Sequence, residues 1–412
     1  MAVTPEFSHN MSFVGHSDQG GRADGVQVMI HRDHAYIGHM FSRGFSVVDV
    51  SDPRDPQPRN YVAAPPGTWS LHLQSHDDLL LVINAADQFA NPAFADERNY
   101  YFQSIGDVLR EQQAEFAAGL RVFDISSPAE PREIGFMPVE GVGLHRIWYV
   151  GGRYAYASAL LDDFTDFIFV VIDLNDPTKP EIVGKYWLPG MWRAGGEEPT
   201  WPLGKRYALH HGVVADGVAY ASWRDGGFSL LDVSDPTDPS LIAYRNWDPP
   251  FGGGTHSALP FTDRQLVAVG DEGIADDCAD GLKHVFMVDV REPSNPVTIS
   301  TFPVPDEEDY CAKGAHYGFH NFHENRPGSF QSDELVFATY QNAGVRAFDI
   351  RDAYRPVETA HWVPPAPERM FDTRPNRPQV IQSCDVFADA EGLLYVTDYN
   401  AGLYILQYDG PS

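Results

Sequence analysis

Three cysteines among 412 residues, Cys278, Cys311 and Cys384, are too few for a disulfide framework. Such sparing use is the habit of a reducing compartment, although a single Cys278–Cys311 bridge stays open. Basic residues are scarce as well: 29 Lys and Arg stand against 58 Asp and Glu, a formal net charge of −29. A chain that acidic lacks the basic surface nucleic acids and anionic membranes require, so neither is expected as a partner, and the charge serves solubility. Long apolar runs are missing, and nothing approaches the roughly 20 residues of a membrane-spanning helix. Met1 to Glu6 has no basic segment leading into an apolar one, so no signal peptide is expected and a cytoplasmic protein is. No nucleotide-binding glycine loop, nucleophile elbow or HExxH zinc signature appears.

What the chain does contain is a repeat. Six short apolar strands end in Asp: Val47-Val48-Asp49-Val50, Val122-Phe123-Asp124-Ile125, Val171-Ile172-Asp173-Leu174, Leu230-Leu231-Asp232-Val233, Met287-Val288-Asp289-Val290 and Ala347-Phe348-Asp349-Ile350. A seventh, Tyr404-Ile405-Leu406-Gln407, has lost the Asp. Proline-punctuated tails follow the six, as in Ser51-Asp52-Pro53-Arg54-Asp55-Pro56. A motif recurring every 49 to 75 residues marks one supersecondary unit used repeatedly. Length alone would suggest two or three domains, but such units bury their faces only by stacking on neighbours, so one domain over residues 1–412 is expected.

Residues 210–247 show the unit. His211 to Val214 opens a first strand, Ala215-Asp216-Gly217 turns, and Val218 to Ser222 is a second strand. Phe228 to Val233 is the third strand, and Leu241 to Tyr244, after the Asp-Pro turn, is the fourth. Short β-branched and aromatic runs between Gly, Asp and Pro fit antiparallel blades. The Asp closing each third strand is expected to cap turn amides rather than to catalyse. The last unit stops without a fourth strand, while residues 11–15 resemble one with no third strand before them. The fold expected is therefore all-β, a seven-bladed β-propeller. Units one to six span about 26–362, residues 383–408 form the rest of the seventh, and 11–15 complete it and close the ring. With its apolar-Asp-apolar strands and Pro-rich turns, nearly the whole chain resembles the LVIVD-repeat family of β-propeller proteins. That resemblance implies the fold and no single activity.

Superposing the units at the start of the first strand brings five histidines into register: His72, His145, His211, His256 and His320. His323 competes with His320 for the sixth place, Cys384 takes the seventh and Gln27 the first. In a propeller the first strand is innermost, so five imidazoles would face the central channel. Neutral imidazole ligates zinc, iron, copper and nickel, and crowded imidazolium ions would repel. The alignment therefore predicts a divalent metal ion, iron, zinc or manganese, held by three or four of these histidines. A structural or substrate-binding ring is the alternative.

Most extra sequence lies in loops expected on the same face. Residues 84–119 include a stretch at 104–111 that reads as helical. Residues 271–283 are acidic, and 188–209, 303–319 and 363–382 are rich in Pro, Trp, Arg and Gly. Long loops gathered over one end of a rigid scaffold build a binding site, a lid or an oligomer contact. Candidate acid–base and substrate-holding groups on this rim are His210, Arg224, Asp271, Glu272 and Tyr340. If the chain is extended there, the side chain of His210 points away from that of His211. Two functions follow as expectations. One is a metal-dependent enzyme, an oxygenase or a hydrolase or lyase, acting on a small-molecule substrate under a loop lid. The other is a non-catalytic propeller that binds a partner; either admits a homo-oligomer.

Overall fold

Five of the six apolar-Asp strands lie third in an antiparallel four-stranded unit. The structure, a computed structural model, describes residues 3–111, 115–375 and 377–411. In the fourth unit Tyr207–Ala215, Val218–Arg224, Phe228–Asp232 and Ser240–Arg245 lie side by side in chain order. Burial falls outward across such a unit. Phe228 and Ser229–Leu231 are buried, whereas Ser240 and Leu241 of the outer strand are exposed. The other units except the sixth repeat this arrangement; the second and third join into one sheet where Gly143 pairs with Ala85, the fourth and fifth where Arg224 pairs with Thr255.

All six motif aspartates cap their turns. Each accepts the amide of the residue two positions on, at 2.8–3.0 Å, from Asp49 with Ser51 to Asp349 with Arg351. An Asx turn of this kind ends a strand and starts the tail that follows. The tail then packs on the preceding unit. A Cβ on Gly184 would stand 2.1 Å from the Pro236 carbonyl oxygen of the next tail, and one on Gly15 2.0 Å from that of Pro53. Only glycine permits so close an approach of two backbones.

Residues near the start of the chain serve two units. Met11–Ser17 pairs antiparallel with Gly402–Tyr408, Met11 facing Tyr408. Phe7–His9, which the repeat does not anticipate, adds a strand outside Val357–Val363 of the sixth unit. That unit is irregular at its centre, where isolated bridges such as Phe322 to Ala338 replace a regular innermost strand. The expected helical insertion of the second unit is present as three short 3-10 turns between Gln88 and Tyr101, followed by the helix Ile105–Glu111. No helix among the described residues is long and apolar enough to cross a membrane.

Candidate functional site

The innermost strands carry a repeated irregularity. Their pairing with the second strand slips between Gly25 and Val28, Leu144 and Ile147, Tyr207 and His211, Thr255 and Ser257, and Ser383 and Val386. A bulge adds backbone to one strand and re-aims the side chains around it. At this level five imidazoles line a cavity of about 80 Å³: His72, His145, His210, His256 and His320.

The fourth member is thus His210, and the expectation that His211 takes this place is corrected. Alternation in an extended strand predicted opposite roles for the two, but the slip between Tyr207 and His211 breaks the alternation there. His211 instead joins a plug of buried polar groups outside the cavity lining. Its Nε2 is 2.9 Å from Glu324 Oε1, Arg146 Nη2 lies 3.3 Å from the same oxygen, and Gln74 donates to Oε2 at 2.8 Å. Burial opposes a charge on Glu324, but His211 and Arg146 hold its pKa down to about 2.

Around the cavity the histidines form a continuous series. Ring centroids are 4.8 Å apart from His72 to His145 and from His145 to His210, then 3.6 Å to His256 and 4.6 Å to His320. Three of them hydrogen-bond through Nδ1 to the main-chain carbonyl of the next unit. His72 reaches His145 O at 2.5 Å, His210 reaches His256 O at 2.9 Å, and His320 reaches Cys384 O at 2.6 Å. A carbonyl only accepts, so Nδ1 carries the proton and, in the neutral ring, Nε2 keeps its lone pair. His145 Nε2 lies 3.0 Å from His210 Nε2, which makes His145 the donor of that pair.

Electrostatics agree with neutral rings at four positions. Burial, then nearby cationic groups, lower the pKa of His72, His145 and His210 well below the ordinary value. Burial does the same to His256 against the opposing pull of Glu272. His320 differs: burial disfavours its charge, but Cys384 and Glu272 beside it hold its pKa well above the usual value. Glu272 is buried yet stays ionised, because Arg224 and then His256 outweigh its desolvation.

Arg224, Glu272 and Tyr399 form a second tier at the ends of the second strands. Arg224 pairs with Glu272, whose oxygens are each 3.4 Å from an imidazole, Oε2 from His256 Nε2 and Oε1 from His320 Nε2. Asp271 precedes Glu272 by one residue, and neither it nor Tyr340 lines the cavity. Asp271 accepts from Thr255 Oγ1 at 2.8 Å, and burial pushes its pKa up to about 7. Tyr340 packs between Phe319 and Phe348. His323 is also structural: Nε2 donates to Phe330 O at 2.7 Å and Nδ1 accepts from the Ala388 amide at 3.1 Å. His320 therefore holds the sixth place. Cys384 is buried and free, and burial raises its thiol pKa.

Repeat alignment misses the rest of the wall. Tyr100 and Tyr101 come from the insertion, Phe167 from a loop of the third unit, and Arg206 from the connection at 188–209. Arg206 is tied to Asp166 at 2.7 Å. None of these lies in a repeated position, so their aromatic and basic character was the one signal available. Over the rim, Cys278 is disulfide-bonded to Cys311, which staples the loop after Leu266–Asp271 to the helix Tyr310–Lys313. The pairing removes the ground for inferring a reducing compartment from sparing cysteine use.

A sequence profile of the LVIVD repeat matches residues 20–58, 114–137 and 213–244. No curated protein matches the chain. Among solved structures it is similar to the β-propeller domain of Cps50 (Swd1) from Myceliophteria thermophila, at 10% identity over 93% of this chain and 96% of that one, with a TM-score of 0.56. Sqt1 of Saccharomyces cerevisiae matches at 9% identity over 99% of both chains, with a TM-score of 0.54. A protein from Lactobacillus plantarum matches at 10% identity over 94% and 96%, also with a TM-score of 0.54. These likenesses concern the fold alone, and they agree with the strand pattern and the profile: the chain is a β-propeller protein with LVIVD repeats.

Proposed function

We propose that the chain is a binding propeller: one domain of seven blades, closed into a ring by residues 11–17, that takes a small hydroxyl- or amine-bearing molecule into its axial cavity. The observation that carries this reading is the cavity wall. The neutral His72 ring, whose Nε2 keeps its lone pair, lines a space several times the about 10–15 Å³ that one water needs. Lone pairs on neutral rings call for hydrogen-bond donors, while Val26, Leu71 and Leu209 supply an apolar side. Tyr100 and Tyr101 of the insertion bound the same cavity, so the elaborated rim controls entry.

A binding role also fits the surroundings of the cavity. Phe102 and Leu203 stand 61% and 86% exposed on the rim segments, as an interaction platform would present them. A chain of similar fold, at 7% identity with a TM-score of 0.52, occurs in a solved mitotic checkpoint complex. Metal-dependent turnover is the second reading, favoured by one observation, the proximity of His210, His256 and Glu272.

Thermal-shift screening of the full chain against small polyols and amines tests the proposal. A ligand class that raises the melting temperature of the wild type, and fails to do so in His72→Leu and in the cavity-filling Tyr101→Trp, is expected. Stabilisation that survives in both folded variants would place the ligand elsewhere, and no stabilising ligand at all would leave the cavity without this role.

A further inference from the structure

The axial histidines also meet the requirements of a metal centre. We propose that the cavity binds one divalent transition-metal ion through His210, His256 and Glu272, flanked by His145 and His320. This inference rests on the axial cavity being the binding site and names a different occupant for its lone pairs.

Geometry is the first argument. One ligand atom from each of His210, His256 and Glu272 lies within 4.8 Å of the other two, and all three residues are buried. Metal–nitrogen and metal–oxygen bonds of about 2.0–2.2 Å set neighbouring ligand atoms roughly 3–3.5 Å apart. One edge of this triad is 3.4 Å, from His256 Nε2 to Glu272 Oε2, and the flanking contacts are similar: 3.4 Å from Glu272 Oε1 to His320 Nε2 and 3.0 Å between the Nε2 atoms of His145 and His210.

Orientation is the second argument. The Nδ1 bonds of His210 and His320 to main-chain carbonyls fix those rings and present Nε2, the arrangement that holds a ligating histidine in place. His256, 1% exposed, turns its Nε2 to the Glu272 carboxylate at 3.4 Å, so that nitrogen is the one it would offer a metal. Imidazole-rich donors with one carboxylate favour zinc, iron, nickel or copper over magnesium or calcium.

Arg224 supplies the third argument. Its guanidinium pairs with Glu272 and helps keep that buried carboxylate ionised, the form that ligates a metal. A contrast comes from Glu307, Glu358 and His361, which also cluster. That group is only half-buried, whereas His210, His256 and Glu272 are all buried.

The test is titration of chelator-treated, tag-free full-length protein with Co²⁺, read by calorimetry and by visible d–d absorption. One Co²⁺ per chain is expected, with affinity falling at least tenfold in His256→Ala and in Glu272→Gln and unchanged in the control His34→Ala. Absence of binding to the wild type, or equal binding by both site variants, overturns the proposal. Should a variant fail to fold, X-ray absorption on the wild type loaded with Zn²⁺ decides: scattering from at least two imidazoles is expected, and none overturns it. The two readings fail separately. Metal binding at these residues without any organic ligand removes the organic-ligand reading alone, whereas an organic ligand bound by protein that takes up no Co²⁺ removes the metal.

Discussion

Asp398 shows how far a single carboxyl departs from its solution behaviour in this fold. It is buried at the end of Leu393–Asp398 and accepts the amides of Asn400 and Ala401 at 2.9 and 3.1 Å. Burial outweighs those bonds and pushes its pKa up to about 7. Below about pH 4 the folded and unfolded chains both hold the proton, and nothing is lost. Between about pH 4 and 7 the unfolded chain releases it while the folded chain keeps it, so stability falls as pH rises, by about 4 kcal/mol in total. Asn at this position keeps an acceptor and does not titrate. Asp398→Asn should therefore gain stability over the wild type between pH 5 and 8, measured by denaturant unfolding at each pH, and a pH-independent difference would contradict this account. The motif aspartates work in the opposite direction. Bonds from Ser51 and Ser126 hold the carboxyls of Asp49 and Asp124 below the ordinary range, so their contribution is present above about pH 4 and lost as pH falls toward 2.

At the scale of elements, third strands and turns were legible because their signals are local. An apolar run ending in Asp and followed by Pro needs no distant partner to be read, and all six aspartates cap the turns expected of them. The innermost strands were legible only to within about one residue. Their bulges arise from pairing with the second strand, so the sequence did not announce that His210 would replace His211, or which of Asp271 and Glu272 would line the cavity. The rim loops depend still more on tertiary contacts, and the Cys278–Cys311 bridge is the clearest case. Thiol titration in denaturant without reductant should find one free thiol per chain, that of Cys384, and three would mean the bridge does not form. Cys278→Ser should show two and lose about 2–4 kcal/mol of stability, the usual effect of removing a disulfide that closes a loop of this length.

The whole molecule depends on where the two ends of the repeat meet. Removing residues 3–17 would uncover the Gly402–Tyr408 edge and the groove by Pro53 that Gly15 enters, leaving an unpaired strand that recruits other chains. That truncation should drive self-association, visible by light scattering, and lower the melting temperature more than removal of residues 3–9, which uncovers only the outer edge of the sixth unit. Equal effects of the two truncations would argue against ring closure by residues 11–17. By itself the sequence determined the repeat, the all-β character, the third strand of each unit and the convergence of histidines on innermost strands, because each follows from short-range pattern and periodicity. Only the tertiary structure decided which of two adjacent histidines lines the cavity, that Glu272 and Arg224 pair above it, and which tyrosines of the insertion wall it. Those outcomes depend on bulged pairing and on loops packed from distant parts of the chain, and neither leaves a local periodic trace.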